Sequence, residues 1–415
     1  MLRMIFSVLR PKNFRHYFIA DIVSGFGVGM STIGANWYLM DKTGSLTSVG
    51  LMLSLNVIAG FVISSFAGTL IDKWNRRSII QWANIIRAIA LLLIAAAFLT
   101  SGFRIEYLYA FAAINGMGWA LYMSASRSLV QELLSEKDLI HGNSLIEISL
   151  QVGMFMAGAL SGVLYKYIGF EVILLLNAAA FVVSSGFLSR IRYTPIEAEQ
   201  EGEPFLVTFK NGIRYLADRP FIFLLGVVSV IPLVSTMVFN VVLPGYVSGV
   251  VQGDSVVFGL SDMCYGIGGL LSGFLAAPLA KKVSSHGAIV LFFLVAVLNL
   301  VAVAVNSTVL LLYAGSVLIG LTNSSLRILI TTTLMETVSK SYMGRATSVW
   351  MAISLLLQTV SATSLGVIID RYSPGIGFLC MSGIMFAGFL VYFVLNSRAS
   401  QKKRVEAEAN WADLS

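Results

Sequence analysis

The sequence predicts an all-α integral membrane protein with twelve transmembrane helices in two pseudo-symmetric six-helix bundles. Its composition and the pattern of its apolar runs support this fold class. Of the 415 residues, 57% are hydrophobic and only 12% are charged, whereas about one quarter of the residues in soluble domains are charged. Twelve apolar runs, each of roughly 18 residues or more, follow one another along the chain, and a run of that length crosses a bilayer as a helix.

The first six predicted spans lie between a basic N-terminus and a charged linker. We expect them near residues 18–40, 48–71, 78–100, 105–129, 143–165 and 171–188. Residues 190–220 are too polar for lipid and predict a cytoplasmic linker, with an amphipathic helix over residues 205–216. Six further spans are expected near residues 221–247, 256–280, 287–305, 309–334, 344–369 and 376–395.

The two groups of spans have similar patterns. The run that starts at Gly50 resembles the run that starts at Gly259, and each ends in a charged turn. Two parallel halves of this kind place a binding site between them, near the middle of the membrane. We therefore predict four parts: an N-terminal bundle over residues 1–190, a cytoplasmic linker over 191–220, a C-terminal bundle over 221–396 and a cytoplasmic tail over 397–415.

The distribution of basic residues predicts the orientation. If the N-terminus is cytoplasmic, the external loops hold only four of the 28 lysines and arginines, namely Lys42, Arg104, Lys166 and Arg371. Lys and Arg are enriched on the cytoplasmic side of membrane proteins. Both termini and the linker are therefore expected in the cytoplasm, with the spans in a bacterial inner membrane. This topology accounts for the net charge of +7, so nucleic acid is not expected as a partner.

A short basic loop joins the second and third predicted spans. It reads FAGTLIDKWNRR, so that an apolar run with small residues stops at a carboxylate and arginines follow. This change is typical of a membrane helix that meets the cytosol. The pattern G-x-L-x-D-x-x-x-R-R, with Gly68, Asp72, Arg76 and Arg77, resembles the signature loop of the major facilitator superfamily.

The resemblance implies a conformational switch in this loop. Asp72 would face the start of the eleventh span and hold the two halves together on the cytoplasmic side. Arg127, near the inner end of the fourth span, would belong to the same charge network; the alternative is a side chain that merely reaches the interface. The family usually has glycine where Asn75 stands, and asparagine tolerates a left-handed turn better than most residues.

Further stretches resemble the branch of this superfamily that includes macrolide and siderophore exporters. They include NFRHYFIADIVSGFG, ANIIRAIALLL and GALSGVLYKYIGFEVILLLNAAAF, in this order. Drug antiporters of the superfamily often carry G-x-x-x-G-P-x-x-G-G in the fifth span; Gly158 and Gly162 match this motif, while Ala159 stands where the motif has proline. The resemblance implies a secondary transporter, not an enzyme, that exports a drug-, macrolide- or siderophore-like amphipathic compound by proton antiport with alternating access.

Two other functions stay open at this stage. The same fold hosts proton-coupled or facilitative importers of small nutrients, because a fold does not determine a function. A membrane sensor without transport activity is the weaker alternative, since the sequence shows no folded soluble output segment. The expected partners are a small-molecule substrate, protons and the lipid bilayer, and the protein is expected to be a monomer.

Charged residues inside predicted spans are candidates for proton coupling, because a charge in hydrocarbon costs several kcal/mol. Asp21 in the first span, Glu147 in the fifth and Asp262 in the eighth are the candidate carboxylates. For Asp21 the alternative is a structural pairing with a nearby basic residue. Arg87 is the deepest basic residue of the first half and requires a partner, for which Asp21 is the most interesting candidate.

Polar and aromatic residues within the spans predict a cavity with mixed apolar and hydrogen-bonding walls, which would suit a bulky amphipathic compound. For each residue the alternative is packing or an inter-helix hydrogen bond. No cofactor is expected, since the sequence contains no nucleotide-binding loop. No metal site is expected either, because the three histidines lack ligand spacing. The candidate cavity residues are Asn36, Trp37, Asn56, Asn115, Trp119, Tyr122, Asn240, Asn323, Trp350 and Gln358.

Overall fold

Every regular element in the described part of the chain is an α-helix. The structure is a computed structural model that describes residues 8–135, 138–192 and 205–412. Within those ranges it leaves out some side chains, namely those of residues 65–73, 140–141, 143–144, 147–151, 154–155, 205–206, 340–341 and 398–412.

Six long helices form the first bundle. Even the shortest of them, α6, has 20 residues and extends about 30 Å, which matches the hydrocarbon core of a bilayer. The six helices are α1 (Lys12–Thr43), α2 (Leu46–Lys73), α3 (Arg76–Ser101), α4 (Ile105–Leu133), α5 (Leu139–Ile168) and α6 (Phe170–Ser189).

A short helix, α7 (Phe205–Ala217), lies in the linker where an amphipathic helix is predicted, and it packs against α8 and α12. The second bundle follows it with six helices, among which α8 carries proline at its first position, where a missing N–H costs nothing. These helices are α8 (Pro220–Gly249), α9 (Ser255–Val283), α10 (Ser285–Val305), α11 (Val309–Thr337), α12 (Lys340–Arg371) and α13 (Pro374–Ala412).

Ten of the described helices are long and apolar enough to cross a membrane. The remaining two long helices, α4 and α5, pack within the first bundle, α4 against α2 and α3 and α5 against α1. The predicted all-α fold with two six-helix bundles is therefore confirmed. One helix end differs from the sequence prediction, because α13 continues to Ala412 although its apolar run stops near residue 395. Lysine, arginine, glutamate and alanine are strong helix formers, so the hydropathy marks the end of the apolar run and not the end of the helix.

Two helix pairs make most of the contacts between the bundles, α5 with α9 and α2 with α12. In the first pair, a Cβ atom added at Gly162 would lie 2.2 Å from the Ser255 carbonyl oxygen, and one added at Gly259 would lie 2.3 Å from the Gly158 carbonyl oxygen. Only residues without a side chain allow the helices to approach so closely in lipid. Both glycines of the fifth-span motif therefore lie in the interface between the bundles.

Candidate functional site

A cavity of about 260 Å³ lies between the two bundles. Six helices contribute to its wall, and α1 contributes most of it, with additional side chains from α2, α4, α5, α8 and α9. Apolar and aromatic groups predominate, with several amides and two carboxylates among them. The wall consists of Asp21, Ile22, Gly25, Phe26, Val28, Gly29, Thr32, Ile33, Asn36, Leu53, Asn56, Asn115, Trp119, Gly153, Asn240 and Asp262.

One face of α1 lines the cavity along much of the helix. Its wall residues recur at intervals of three or four positions, as expected for one side of an α-helix. Asp21 and Asn36 lie 15 positions apart in the sequence, which corresponds to about 22 Å along the helix axis. A Cβ atom added at Gly25 would meet nothing within 4 Å, so this glycine leaves open space beside the cavity.

Asp21 lies nine positions after the first residue of α1 and only 6% of it is exposed. The hydroxyl of Tyr122 on α4 donates a hydrogen bond to its carboxylate. The hydroxyl of Tyr17, also on α1, is hydrogen-bonded to that of Ser126 on α4. Two buried hydrogen bonds thus join α1 to α4 beside the cavity, one of them at the cavity carboxylate.

Arg87 on α3 is 2% exposed, and its partners differ from the expected one. Its guanidinium donates a hydrogen bond of 2.9 Å to the Oδ1 atom of Asn115 and lies 4.1 Å from the ring centre of Phe181. The expected ion pair with Asp21 is not among the described contacts of Arg87. The physical reason is the packing of α3 against α4 and α6, which places an amide and an aromatic ring beside the guanidinium.

Asp262 on α9 faces the same cavity as Asp21, from the other bundle. Its Oδ2 atom would lie 2.9 Å from a Cβ atom added at Gly158 on α5. The fifth-span glycine therefore provides the space that this carboxylate occupies. The third candidate carboxylate, Glu147, lies on the helical backbone of α5, but its side chain lies outside the described residues.

Five of the predicted cavity residues lie on the wall, namely Asn36, Asn56, Asn115, Trp119 and Asn240. Two of these amides also join helices within the first bundle. The Asn56 amide donates to the Ala112 carbonyl oxygen at 3.0 Å, and the Asn115 amide donates to Thr32 at 3.3 Å. The described wall thus carries amide groups from both bundles.

The other five predicted cavity residues lie off this wall, and each has a packing or hydrogen-bonding role instead. The Trp37 ring packs on an aromatic ring of α9 at 5.2 Å between centres. Asn323 donates to Thr236 at 3.4 Å, and Trp350 occupies the space above Gly226. The remaining two side chains form hydrogen bonds. Tyr122 donates to the Asp21 carboxylate, and Gln358 donates to Ser354, one turn earlier on α12.

The predicted outer face is closed between α2 and α12 by Asp370, at the end of α12. Its Oδ1 atom accepts from the backbone N–H of Leu46 at 2.7 Å. Its Oδ2 atom accepts from the Thr47 N–H at 2.9 Å, the Thr47 hydroxyl at 2.6 Å and the Ser45 hydroxyl at 2.8 Å. The first N–H groups of a helix lack partners within the helix, so a carboxylate of one bundle caps a helix of the other.

Two further contacts close the same face. The Lys166 ammonium at the end of α5 lies 2.6 Å from the Oδ2 atom of Asp254, which also caps the N-terminus of α9. This hydrogen bond holds the pKa of the Asp254 carboxyl below its usual value. Below them, the Ser54 hydroxyl donates to the Thr359 carbonyl oxygen at 3.3 Å. All the described hydrogen bonds between the two bundles lie on the predicted outer half, so the structure is closed on that side.

The signature loop lies on the opposite face. The side chain of Asn75 accepts hydrogen bonds from the backbone of Arg77 and Ser78, so it caps α3, and its backbone is extended (φ −60°, ψ 118°) rather than left-handed as considered from the sequence. Arg76 pairs with Glu132 of α4 at 3.5 Å, and Arg77 donates to a backbone carbonyl oxygen after α6 at 2.6 Å.

The other residues of the predicted switch lie on α2 and α4. Gly68 and Asp72 lie on the helical backbone of α2, but their side chains lie outside the described residues. Arg127 on α4 is exposed and forms no ion pair with the described side chains. Sequence reasoning did not identify Asp370. The available signal was an acidic residue at the end of the eleventh span, in the same position relative to its span as Asp72 at the end of the second.

The fold and the cavity define a class of protein, the membrane transporter built from two six-helix bundles around a central cavity. Residues 17–298 and 233–415 match the Major Facilitator Superfamily. The chain therefore belongs to this superfamily, and it is a multi-pass transporter and not an enzyme.

Two relatives from Bacillus subtilis (strain 168) illustrate its place in the superfamily. The chain is 21% identical over 418 residues to "Uncharacterized MFS-type transporter YkuC", covering 94% of this chain and 93% of that protein. It is 28% identical over 165 residues to "Putative bacilysin exporter BacE", covering 39% of this chain and 40% of that protein.

Solved structures share the fold. The nucleoside transporter NupG superposes with a TM-score of 0.70 at 16% identity, covering 92% of this chain and 98% of that chain. A bacterial homologue of the human lysosomal transporter Spinster, in an inward-facing and unoccupied conformation, superposes with a TM-score of 0.73 at 13% identity, covering 93% and 97%. At such identities the likeness concerns the fold alone.

Proposed function

We propose that this transporter exports a small amphipathic compound, neutral or cationic, in exchange for protons. The observation that carries the proposal is the position of Asp21 and Asp262 on one cavity wall, one from each bundle. The described wall residues include no lysine, arginine or histidine. A cationic or neutral compound therefore complements this wall better than an anion does.

The size and chemistry of the cavity support a compact substrate. Ligand pockets typically enclose about 300–1,000 Å³, and this cavity, at about 260 Å³, lies just below that range. Aromatic rings such as those of Phe26 and Trp119 can contact an apolar body, while amides on facing helices can orient a polar group. Within the predicted exporter branch, this cavity favours a compound smaller than a macrolide in the present conformation.

Competition for the carboxylates would couple the two fluxes. A carboxylate in an apolar cavity can hold a proton or the positive group of a substrate, and holding neither leaves a charge that is costly at membrane depth. Proton entry from outside would then displace the substrate, and proton release to the cytoplasm would restore the site. The similarity to the protein named "Putative bacilysin exporter BacE" supports this direction over import.

The test measures transport in inside-out membrane vesicles with an acidic interior, using ethidium as a fluorescent amphipathic cation. A proton antiporter that exports ethidium accumulates it in these vesicles. We expect Asp21→Asn and Asp262→Asn to abolish accumulation driven by the pH gradient, because each removes a titratable group while nearly preserving its shape. Exchange of labelled for unlabelled ethidium without a gradient should persist in at least one of these variants.

Asp41→Asn is the matched control, because Asp41 is an exposed aspartate outside the cavity whose carboxylate accepts from Tyr165 in the same bundle. Normal accumulation in both cavity variants would refute proton coupling through these carboxylates. A substrate that accumulates only in right-side-out vesicles would instead identify an importer, and the proposed direction would be wrong.

A further inference from the structure

A second cavity, of about 410 Å³, lies between the linker helix α7 and the first turns of α12, on the predicted cytoplasmic face. Three arginines contribute to it, Arg214, Arg219 and Arg345, against one carboxylate, that of Asp218. The formal charge of the residues that line this cavity is therefore +2. The transport cavity between the bundles is acidic by contrast, so the two cavities cannot suit the same ligand.

Aromatic rings organise the arginines of this cavity. The rings of Tyr215 and Tyr342 stack at 4.4 Å between centres with an angle of 13°. The Arg219 guanidinium lies 4.3 Å from the Tyr215 ring centre, and that of Arg345 lies 5.3 Å from the Tyr342 ring centre. Stacking fixes the plane of a guanidinium while its N–H donors point sideways. Since a guanidinium has five donors, the bond from Arg219 to the Tyr215 carbonyl oxygen leaves others available to a ligand.

The cavity is formed by direct contact between the linker and the second bundle. A Cβ atom added at Gly212 of α7 would lie 2.2 Å from the carbonyl oxygen of Arg345. The glycine therefore lets the α7 backbone touch α12, and this contact brings the arginines of the linker next to that of α12. A positive cavity with planar guanidinium groups is suited to a phosphate, which arginine binds through paired hydrogen bonds.

The position of α7 indicates where the phosphate comes from. Val207 and Ile213 on α7 are 45% and 48% exposed, and Phe221 and Leu224 at the start of α8 are also exposed. A helix with exposed apolar residues beside a membrane span lies in the interface, at the depth of the lipid headgroups. Basic pockets at this depth on the cytoplasmic side are suited to anionic headgroups. We propose that this cavity binds the phosphate group of an anionic phospholipid.

The test counts the lipids that stay bound to the purified full-length protein in native mass spectrometry, after equilibration in micelles with phosphatidylglycerol or phosphatidylcholine. We expect the wild-type protein to retain phosphatidylglycerol preferentially. The double variant Arg214→Gln/Arg219→Gln should lose roughly 30-fold in affinity for it, from the loss of two surface arginines. The control is Arg190→Gln/Arg192→Gln, which removes the same charge after α6 on the same face, outside the cavity.

Each result decides the proposal. Equal retention by the cavity variant and the wild type would overturn it, and so would an equal loss in the control, since that would indicate unspecific attraction to the surface. A further sample in phosphatidylcholine receives inorganic phosphate and glycerol 3-phosphate. Thermal stabilisation by these soluble phosphates that depends on Arg214 and Arg219, without any preference for phosphatidylglycerol, would assign the cavity to a soluble phosphate and refute the lipid.

Discussion

Removing the Asp370 carboxylate should open the predicted outer face. Asp370 forms four hydrogen bonds of 2.6–2.9 Å with Ser45 and the first two residues of α2, and Asp370→Ala removes them all. Hydrogen bonds to a charged group each contribute about 1.5–3 kcal/mol when buried, but Asp370 is exposed and water replaces part of them in the open state. Loss of a helix N-cap costs about 0.5–2 kcal/mol. We therefore expect Asp370→Ala to destabilise the outer-closed state by up to about 2 kcal/mol.

A change of that size alters the ratio of outer-closed to outer-open molecules by roughly 30-fold. The assay measures the distance distribution between spin labels on two exposed loop residues of different bundles, Arg104→Cys and Ser307→Cys, after the native Cys264 and Cys380 are replaced by serine. We expect a new population at longer distance in Asp370→Ala. An unchanged distribution would refute the reasoning that this carboxylate holds the bundles together.

Two comparisons make the measurement specific. Asp41→Ala removes an exposed aspartate of the same face that bonds within the first bundle only, so it should leave the distances unchanged. Asp72→Asn should act in the opposite direction, if the signature loop has the role that its resemblance implies. Asp72 lies at the end of α2 and Asp370 at the end of α12, on opposite faces of the membrane. Asp370 caps the start of α2 in this structure, and Asp72 would cap the start of α12 in the opposite state.

Two further predictions concern the contacts between α5 and α9. Lys166 lowers the pKa of the Asp254 carboxyl, so their ion pair stabilises the closed outer face above the usual carboxyl pKa. This stabilisation is lost as the pH falls through the lowered pKa. The distances between the spin labels should therefore lengthen on acidification in the wild type and should respond less in Lys166→Gln. Gly162→Leu should force the outer face open at every pH, since even its Cβ atom would lie 2.2 Å from the Ser255 carbonyl oxygen. Gly186→Leu is the control and should leave the label distances unchanged, because a Cβ atom there meets nothing within 4 Å. Label distances typical of the closed state in Gly162→Leu would contradict the tight packing.

Much of the fold was predictable because lipid imposes simple rules on a sequence. A helix must be apolar over the thickness of the bilayer, so the apolar runs located the membrane helices. An amphipathic pattern located the linker helix, which was expected over residues 205–216 and is found at Phe205–Ala217. The resemblance of the signature loop then identified the superfamily. These properties are local in the sequence, and no knowledge of helix packing was required to find them.

The candidate site was only partly predictable, because hydropathy does not tell which side of a span faces a cavity. Asn36 and Trp37 are adjacent in the sequence, yet Asn36 lies on the wall and Trp37 packs against α9. Likewise, the sequence indicated that Arg87 requires a partner, but the packing of α3 and α4 selected Asn115.

The sequence by itself thus determined the membrane spans, the two related halves and the superfamily. The tertiary structure alone decided that Asp21 and Asp262, 241 positions apart in the sequence, face one cavity, and that Asp370 caps a helix that begins 324 positions earlier. The physical reason is that the apolar length of a span is set by lipid along one chain segment, whereas the rotation and the neighbours of each helix are set by side-chain packing between distant segments.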